Sequence, residues 1–476
     1  MSSLISVANS ALLTQQAALQ TISQNIANGQ TPGYSRQEAV IASTTSLQTG
    51  NGFVGTGVSV QTISRVRDQL LDDAYRTTAG QTGEADARNS LLGQLQAIFG
   101  EPSDQGMANA LDQFWGSWSD LATSPQSGAN KVIVQQRGRS LAQLLNSYDD
   151  RLTQVRNTAL QQVQGAINEI NQQTATIAEL NGQISAAETT GATANDLRDH
   201  RDRMIDTLAK NGGIRVIPQS SGSVTVMIGA STIVEGSTAR ALSGNTGMST
   251  GSVDVPVEMS LSGSLMKSGT IGGRLGALLD TVNNSVPDLR AQLNAMAMAL
   301  VTKVNGVHTQ GYLFPGGTIP GTAAGNFFDP GTVSTPVTAG SIRLDTAVEA
   351  SAAKIAASKD ANAQSDNQLA VQMKALIEDQ NAISFTNRKG GILSGSFLGF
   401  HRDLMTTLGY SVKAAEDDST AATAAQSQAD SRRQSVIGVN TDEELVRMMR
   451  FQQSYTAAAK LLKSVDELTQ TLLGLI

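Results

Sequence analysis

The most regular amphipathic segments of this chain lie at its two ends. Residues 2–28 carry Ile5, Ala8, Leu12, Gln15, Leu19, Ile22 and Ile26 at alternating steps of three and four. Residues 442–476 do the same with Leu445, Met448, Gln452, Tyr455, Ala459 and Leu462. That spacing lines one face of an α-helix. Chain ends ordinarily fray, so two such helices are expected to dock on each other or on other subunits along a coiled-coil-like seam. The fold must bring its ends together, which points to assembly rather than catalysis.

Composition supports a thin helical architecture. Of 476 positions, 16% are charged and 4% aromatic, against roughly 25% charged in an average protein. Ala, Ser, Thr, Gln, Asn and 45 Gly take the difference; these residues favour long bundles with small cores. The length corresponds to about three domains. A net charge of −7 offers no basic face for nucleic acid. The absence of Cys excludes disulfides and thiolate metal sites, and suits a chain exported unfolded. No apolar run reaches the roughly 18 residues of a membrane span, so no membrane insertion is expected. The opening MSSLISVANSALLTQQ lacks the basic start and dense apolar stretch of a cleaved secretory signal.

The first helix is expected to stop at Asn28-Gly29, with Thr31-Pro32-Gly33-Tyr34 as a tight turn. Residues 37–66 read as extended around a Gly-rich hairpin at 50–57. Helical periodicity then runs from about 67 to 209. It includes Leu91, Leu92, Leu95 and Ile98, an aromatic helix through Phe114, Trp115 and Trp118, and a long helix at 128–188. At Asn211-Gly212-Gly213 the period changes to alternation: Ile214, Val216, Val224, Val226, Ile228, Ile233 and Val234, then Val253, Val255, Val257 and Met259. Helix returns at 272–308, where Pro287 predicts a kink or restart. Residues 309–345 read as irregular, 346–430 as mostly helical, and 431–476 as the terminal helix.

The expected fold is mainly α with an inserted β domain (α+β, multi-domain). Residues 1–66 with 431–476 make the paired terminal helices and extended segment. Residues 67–210 with 271–430 make a central helical rod, and 211–270 a small β-rich outer domain.

Candidate chemistry is sparse. Gly50-Asn51-Gly52-Phe53-Val54-Gly55 matches G-x-G-x-x-G, but Val58–Ile63 after it reads as a strand where a nucleotide loop needs a helix, so a hairpin is expected. His200 sits among Asp196, Asp199, Asp202, Arg198, Arg201 and Arg203; alternating signs on a helix predict a solvated, salt-bridged face rather than a metal or acid–base site. His308 and His401 lie in unrelated segments without ligand spacing. The three aromatics at 114–118 are expected in a core. Neither cofactor nor metal is expected, and no catalytic residue is assigned.

Asn25-Ile26-Ala27-Asn28, followed by Thr31-Pro32-Gly33-Tyr34-Ser35-Arg36-Gln37, resembles the N-terminal signature of the flagellar rod, hook and hook-associated protein family. The Tyr-Ser-Arg-Gln ending is similar to its hook-associated members. Gly438-Val439-Asn440-Thr441-Asp442-Glu443-Glu444 and the run from Arg450 to Lys460 resemble the family's closing helix. Glu101-Pro102-Ser103-Asp104-Gln105-Gly106, Phe114-Trp115, Trp118–Leu121 and Asn195–Asp202 resemble its helical domain. Gly29-Gln30 departs from the Val- or Ser-containing pair of many relatives.

The resemblance implies a structural, non-enzymatic subunit of the bacterial flagellum, forming the layer between hook and filament. Such a subunit would lie outside the cell, exported by the flagellar type III apparatus without a cleaved signal peptide. Its partners would be itself in a ring, the hook protein, a second hook-associated junction protein, and an export chaperone at the C-terminal helix. The terminal helices would line an inner tube, with Ile5, Leu12, Leu19, Ile22, Leu445, Met448, Tyr455, Leu462 and Leu472 as contacts. Asn28, Thr31, Pro32, Gly33 and Tyr34 would orient the chain leaving the tube. Two alternatives stand beside this: a second junction protein or flagellin-like filament subunit, disfavoured by residues 31–37 and the β region, and a secreted protein whose β domain binds or processes a ligand, disfavoured by the lack of His in 211–270.

Overall fold

The computed structural model describes residues 2–49, 52–100, 103–189, 191, 193–245, 256–266, 270–387 and 390–474. Helix α1 (Ser2–Asn28) leads into β1 (Gln37–Ser43), the short pair β2 (Leu47–Thr49) and β3 (Gly52–Val54), and β4 (Val58–Arg65). β1 and β4 pair antiparallel, Gln37 opposite Arg65, with a bulge at Val40/Ile41. A strand therefore follows Gly52-Phe53-Val54, as a hairpin requires; Gly50 and Asn51 lie outside the described residues.

Asp68 caps α2 (Gln69–Phe99), its carboxylate accepting from the amides of Leu70 and Leu71. α3 (Met107–Thr123), α4 (Gly128–Glu188) and α5 (Asn195–Gly212) follow. Ser127 caps α4 by accepting from the Asn130 amide. The 61 residues of α4 span about 90 Å, over the residues its periodicity predicted. The Glu101-Pro102 break lies outside the described residues.

α4 serves two cores. Val134, Leu141, Leu145 and Leu152 pack with Trp115, Trp118, Leu293, Leu300, Phe327 and Phe328. Further along, Val163, Ile167, Ile170 and Ile177 pack under the β-rich region. Phe114, Trp115 and Trp118 are fully buried, with Phe114 and Trp115 ring centroids 4.8 Å apart and Trp118 and Phe327 centroids 5.6 Å apart. They are core residues, as expected.

The β region holds a four-stranded sheet of β5 (Ile214–Pro218), β6 (Val224–Ile228), β7 (Ser231–Glu235) and β8 (Thr238–Ala239). A three-stranded sheet of β9 (Leu242–Asn245), β10 (Glu258–Leu261) and β11 (Ser264–Met266) lies beside it. Val216, Val224, Val226, Ile228, Ile233 and Val234 are all buried. Val257 and Met259 are buried, while Val253 and Val255 lie outside the described residues.

α6 (Gly273–Asp280) passes through a π turn at Thr281–Ser285 into α7 (Val286–His308), with Pro287 in its first turn. Proline removes one helix donor, and the extra π residue absorbs the change. That turn presents Asn283 to the β region, where its Oδ1 accepts from the Val257 amide (2.7 Å) and its Nδ2 donates to the Val257 carbonyl (3.0 Å).

Residues 346–396 differ from the helical expectation. The described residues among them form only α8 (Thr346–Ala350) and α9 (Gln368–Ala375), besides single 3-10 turns and the hairpin β14 (Ile383–Thr386) with β15 (Ile392–Gly395); β12 (Tyr312–Leu313) and β13 (Thr322–Ala323) precede them. Local bonds win over Ala-rich propensity: Asp366 accepts from the Lys359 amide (2.6 Å), and Ser358 Oγ donates to the Ala363 carbonyl (2.9 Å). The closing helices are α10 (Phe397–Ile437) and α11 (Thr441–Leu473). The break falls at Gly438–Asn440, where Asn440 Oδ1 accepts from the amides of Asp442 (3.0 Å) and Glu443 (3.4 Å).

His308 is wholly buried beside Trp118 and Phe327. Its Nε2 accepts from the Ala356 amide (3.1 Å), so Nδ1 carries the proton and donates to the Gly325 carbonyl (2.7 Å). Burial, with the nearby Lys131 charge, pulls its pKa from 6.5 to about 4, against the opposing pull of the Gly325 bond and Asp345. The unfolded chain takes a proton that the native ring refuses, so stability is complete above 6.5 and falls as pH drops towards 4. The loss amounts to about 3 kcal/mol. In urea titrations, His308→Asn is expected to lose this slope between about pH 6.5 and 4; equal slopes would refute the assignment.

Candidate assembly site

α1 and α11 pack along each other, and α1 also rests on β1 and β4. The face α1 buries is made of small and polar residues: Ala8, Thr14, Ala18, Thr21 and Asn25, with Ile22. Small side chains let backbones approach; Gly57 lies so close that a Cβ there would meet the Ser10 hydroxyl. The larger apolar residues turn away. Ile5 is 41% exposed, Leu13 61%, and Leu12 and Leu19 are half-buried. On α11, Val465 is buried, Leu445 is 48% and Tyr455 40% exposed, and Met448 and Leu462 are half-buried. The side chain of Leu472 lies outside the described residues. Of the predicted α1 stripe, Ala8 and Ile22 are thus covered within the chain, beside Thr14, Ala18, Thr21 and Asn25. The leucine faces remain available.

Asn25 joins three segments at the base of this pair. Its Oδ1 accepts from the Tyr34 hydroxyl (2.9 Å) and the Gln37 amide (2.9 Å). Its Nδ2 donates to the Gln37 carbonyl (2.8 Å) and to Glu444 Oε2 (3.0 Å). Both donors and both acceptor sites of the amide are therefore used. Burial, and then the charges of Asp199, Asp196 and Glu444, push the Tyr34 phenol up to about 12, so it stays a donor. Asn28 closes the helix, its carbonyl accepting from the Thr31 amide (2.8 Å) and its Nδ2 donating to the Gln24 carbonyl (3.1 Å). Thr31, Pro32 and Gly33 form the exposed turn. Gly33 has φ +77°, and a Cβ there would strike Arg203, whose Nη1 donates to the Pro32 carbonyl (3.0 Å).

That turn docks on α5. Ser35 donates to Asp199 through its amide (3.0 Å) and hydroxyl (2.7 Å). Asn195 Nδ2 donates to Gln37 Oε1 (3.1 Å) and the Ile63 carbonyl (2.8 Å). Beneath lies a buried ionic cluster. Arg65 reaches Asp199 (2.6 Å) and Asp202 (2.8 Å), Arg67 reaches Asp72 (3.0 Å) and Asp202 (3.3 Å), and Arg76 reaches Asp202 (3.3 Å) and Asp206 (2.9 Å). From α10, Arg433 pairs with Asp206 (2.6 Å) and lies 3.6 Å over the Tyr75 ring. Four arginines face four aspartates, so the cluster is formally neutral.

The expected solvated face at 196–203 is therefore corrected: it is salt-bridged, but Asp199 and Asp202 are buried. Only His200 and neighbours on its side remain exposed. Burial disfavours the Asp202 carboxylate, yet Arg65, Arg67, Arg76 and Arg201 outweigh that and hold its pKa at about 2. Burial raises the Asp72 carboxyl despite Arg67 and Arg76. Among the described residues no group of three His, Cys, Asp or Glu is placed to hold a metal ion, and no helix is long and apolar enough to cross a membrane.

Asn25, Ser35, Gln37 and Glu444 lie inside the motifs at 25–37 and 438–444, but the motifs alone assign them no individual role. One signal was available: Asn25 lies seven residues beyond Ala18 on the buried stripe, where a polar side chain needs partners. Asn25→Ala strands Tyr34, Gln37 and Glu444 and is expected to cost about 2–3 kcal/mol. The loss should appear as faster amide exchange in α1 and α11 with α4 unchanged; uniform protection would show that the hub is dispensable.

Three family models match the chain: the helical domain of flagellar hook-associated protein FlgK over residues 92–328, the C-terminal region of flagellar basal body rod FlgEFG proteins over 433–475, and the flagella basal body rod protein over 5–34. Flagellar hook-associated protein 1 of Bacillus subtilis is 26% identical, across 98% of this chain and 96% of its own. The Escherichia coli protein of that name is 24% identical across the whole of both. The Salmonella typhimurium protein is 28% identical over 66% of this chain and 57% of its own. The flagellar hook junction protein FlgK of Burkholderia pseudomallei shares the fold, with a TM-score of 0.63 at 16% identity over 78% of this chain and all of that one.

Proposed function

Because the chain belongs to the flagellar hook-associated protein 1 family, we propose that it forms the hook–filament junction of the bacterial flagellum by packing its paired terminal helices against neighbouring copies. It is a structural component of that organelle. One observation carries the mode of assembly: α1 buries its small and polar residues against α11, β1 and β4, and the two helices leave Ile5, Leu13, Leu445 and Tyr455 uncovered. Apolar side chains left exposed along both helices supply contact surface for neighbouring copies. The buried ionic cluster would then carry load from the terminal helices into the helical rod.

The subunits form a ring whose inner wall is α1 and α11, with Ile5, Leu12, Leu19, Leu445, Met448, Tyr455, Leu462 and Leu472 as contacts, while Ile22 packs within the chain. Asn28, Thr31, Pro32, Gly33 and Tyr34 set the direction in which the chain leaves it. The hook protein lies below, a second hook-associated junction protein above, and an export chaperone holds α11 before assembly. The chain carries no catalytic function and leaves the cell unfolded through the flagellar export channel, for which freedom from Cys is suited.

Purified hooks incubated with the protein and imaged by electron microscopy should gain a layer at the distal end. Filaments should grow when the second junction protein and flagellin follow. Leu445→Asp with Ile5→Asp should abolish the layer while shifting monomer stability by no more than about 0.5 kcal/mol. Failure of the wild-type protein to add a layer would overturn the reading.

A further inference from the structure

We propose that the cavity between the start of α4 and the segments 312–322 and 351–358 binds an organic carboxylate carried on an apolar body. Its volume is about 620 Å³, within the range of small-molecule sites. Pro125, Val132, Leu313 and Phe314 supply an apolar wall, and Lys131 and Lys354 bring two ammonium groups to it. No Asp or Glu lines the cavity, although the chain is acidic with a net charge of −7.

Lys131 is the informative residue. It is half-buried, and no ion pair with it occurs among the described residues. Burial lowers its pKa without a compensating carboxylate. A desolvated cation is costly unless paired, so an anion entering the cavity would stabilise Lys131 and gain from it. Two features add to the positive potential: Lys354 is exposed and lines the same cavity, and the first turn of α4 carries the positive end of a 61-residue helix. Lysine binds anions as a point charge rather than by a planar fork. The charge alone therefore sets no preference among anions; the apolar wall selects a ligand with a hydrophobic body.

The test is calorimetric titration of the full chain with 3-phenylpropionate at low salt, using 3-phenylpropionamide as the neutral match and N-acetylphenylalanine as a mimic of a peptide chain end. The acids should bind with Kd below about 10 mM, and the amide about tenfold or more weaker. Lys131→Met should weaken the acids about tenfold while leaving circular dichroism unchanged, and Lys354→Gln should weaken them by a smaller factor with the same salt sensitivity. Tighter binding of N-acetylphenylalanine would support a peptide end as the natural source, and tighter binding of 3-phenylpropionate a free acid. No binding of either acid, equal binding of the amide, or full binding by both lysine variants would overturn the proposal.

Discussion

Asp202→Ala is expected to destabilise the protein by about 3–5 kcal/mol, the cost of breaking a buried ion pair from one side. Asp202 faces Arg65, Arg67 and Arg76 at 2.8, 3.3 and 3.3 Å. Each arginine keeps one other aspartate, Asp199, Asp72 and Asp206 respectively. No donor is wholly orphaned, but the cluster gains an uncompensated positive charge out of water. Exposed pairs contribute far less; Lys463 with Glu467 at 3.9 Å is one, and Glu467→Ala should change stability by under about 0.5 kcal/mol. The same carboxylate sets an acid limit. Its folded pKa of about 2 lies below the ordinary 3.8, so its contribution is complete above about pH 4 and is lost as pH falls towards 2, amounting to about 2 kcal/mol. Urea unfolding by circular dichroism checks both values. A loss below about 1 kcal/mol in Asp202→Ala would mean the cluster is hydrated in solution.

Deleting residues 441–476 is expected to abolish assembly completely while leaving both large cores folded. Neither core contains a residue of α11. The ties that are lost all lead to the N-terminal unit: Glu444 to Asn25 (3.0 Å), Arg447 to Glu38 (3.4 Å) and Glu443 to Arg36 (3.7 Å). α1 would keep its contacts with β1 and β4 but lose its partner helix, and a helix of 27 residues rich in Ser, Thr and Gln is marginal alone. Amide exchange in α1 should rise by about a hundredfold or more, with exchange in α4 unchanged. A normal junction layer built from the truncated chain would transfer assembly to another surface.

The periodicity of residues 2–28 and 442–476 points to paired ends, and of the α1 stripe it marks, Ala8 and Ile22 are buried while Ile5, Leu12 and Leu19 are not. Periodicity finds the stripe; it does not say which partner covers which part of it. The chain's own α11, β1 and β4 cover Ala8, Thr14, Ala18 and Asn25, and the bulkier residues face out. The ionic cluster was equally hidden. Asp196–Arg203 looks like any solvated charged helix, because its partners come from Arg65, Arg67 and Arg76, more than a hundred residues away.

What the sequence by itself determined is local. The length of α4 follows from a sustained period and the Ser127 cap, and the change to strand from Asn211-Gly212-Gly213 and alternating Val and Ile. Each rests on bonds between residues a few positions apart. Only the tertiary structure decided which charges are buried, that one helix serves two cores, that 346–396 abandons helix, and that Asn25 binds both chain ends. Burial and pairing depend on what distant segments bring to the same place, and no local pattern encodes that.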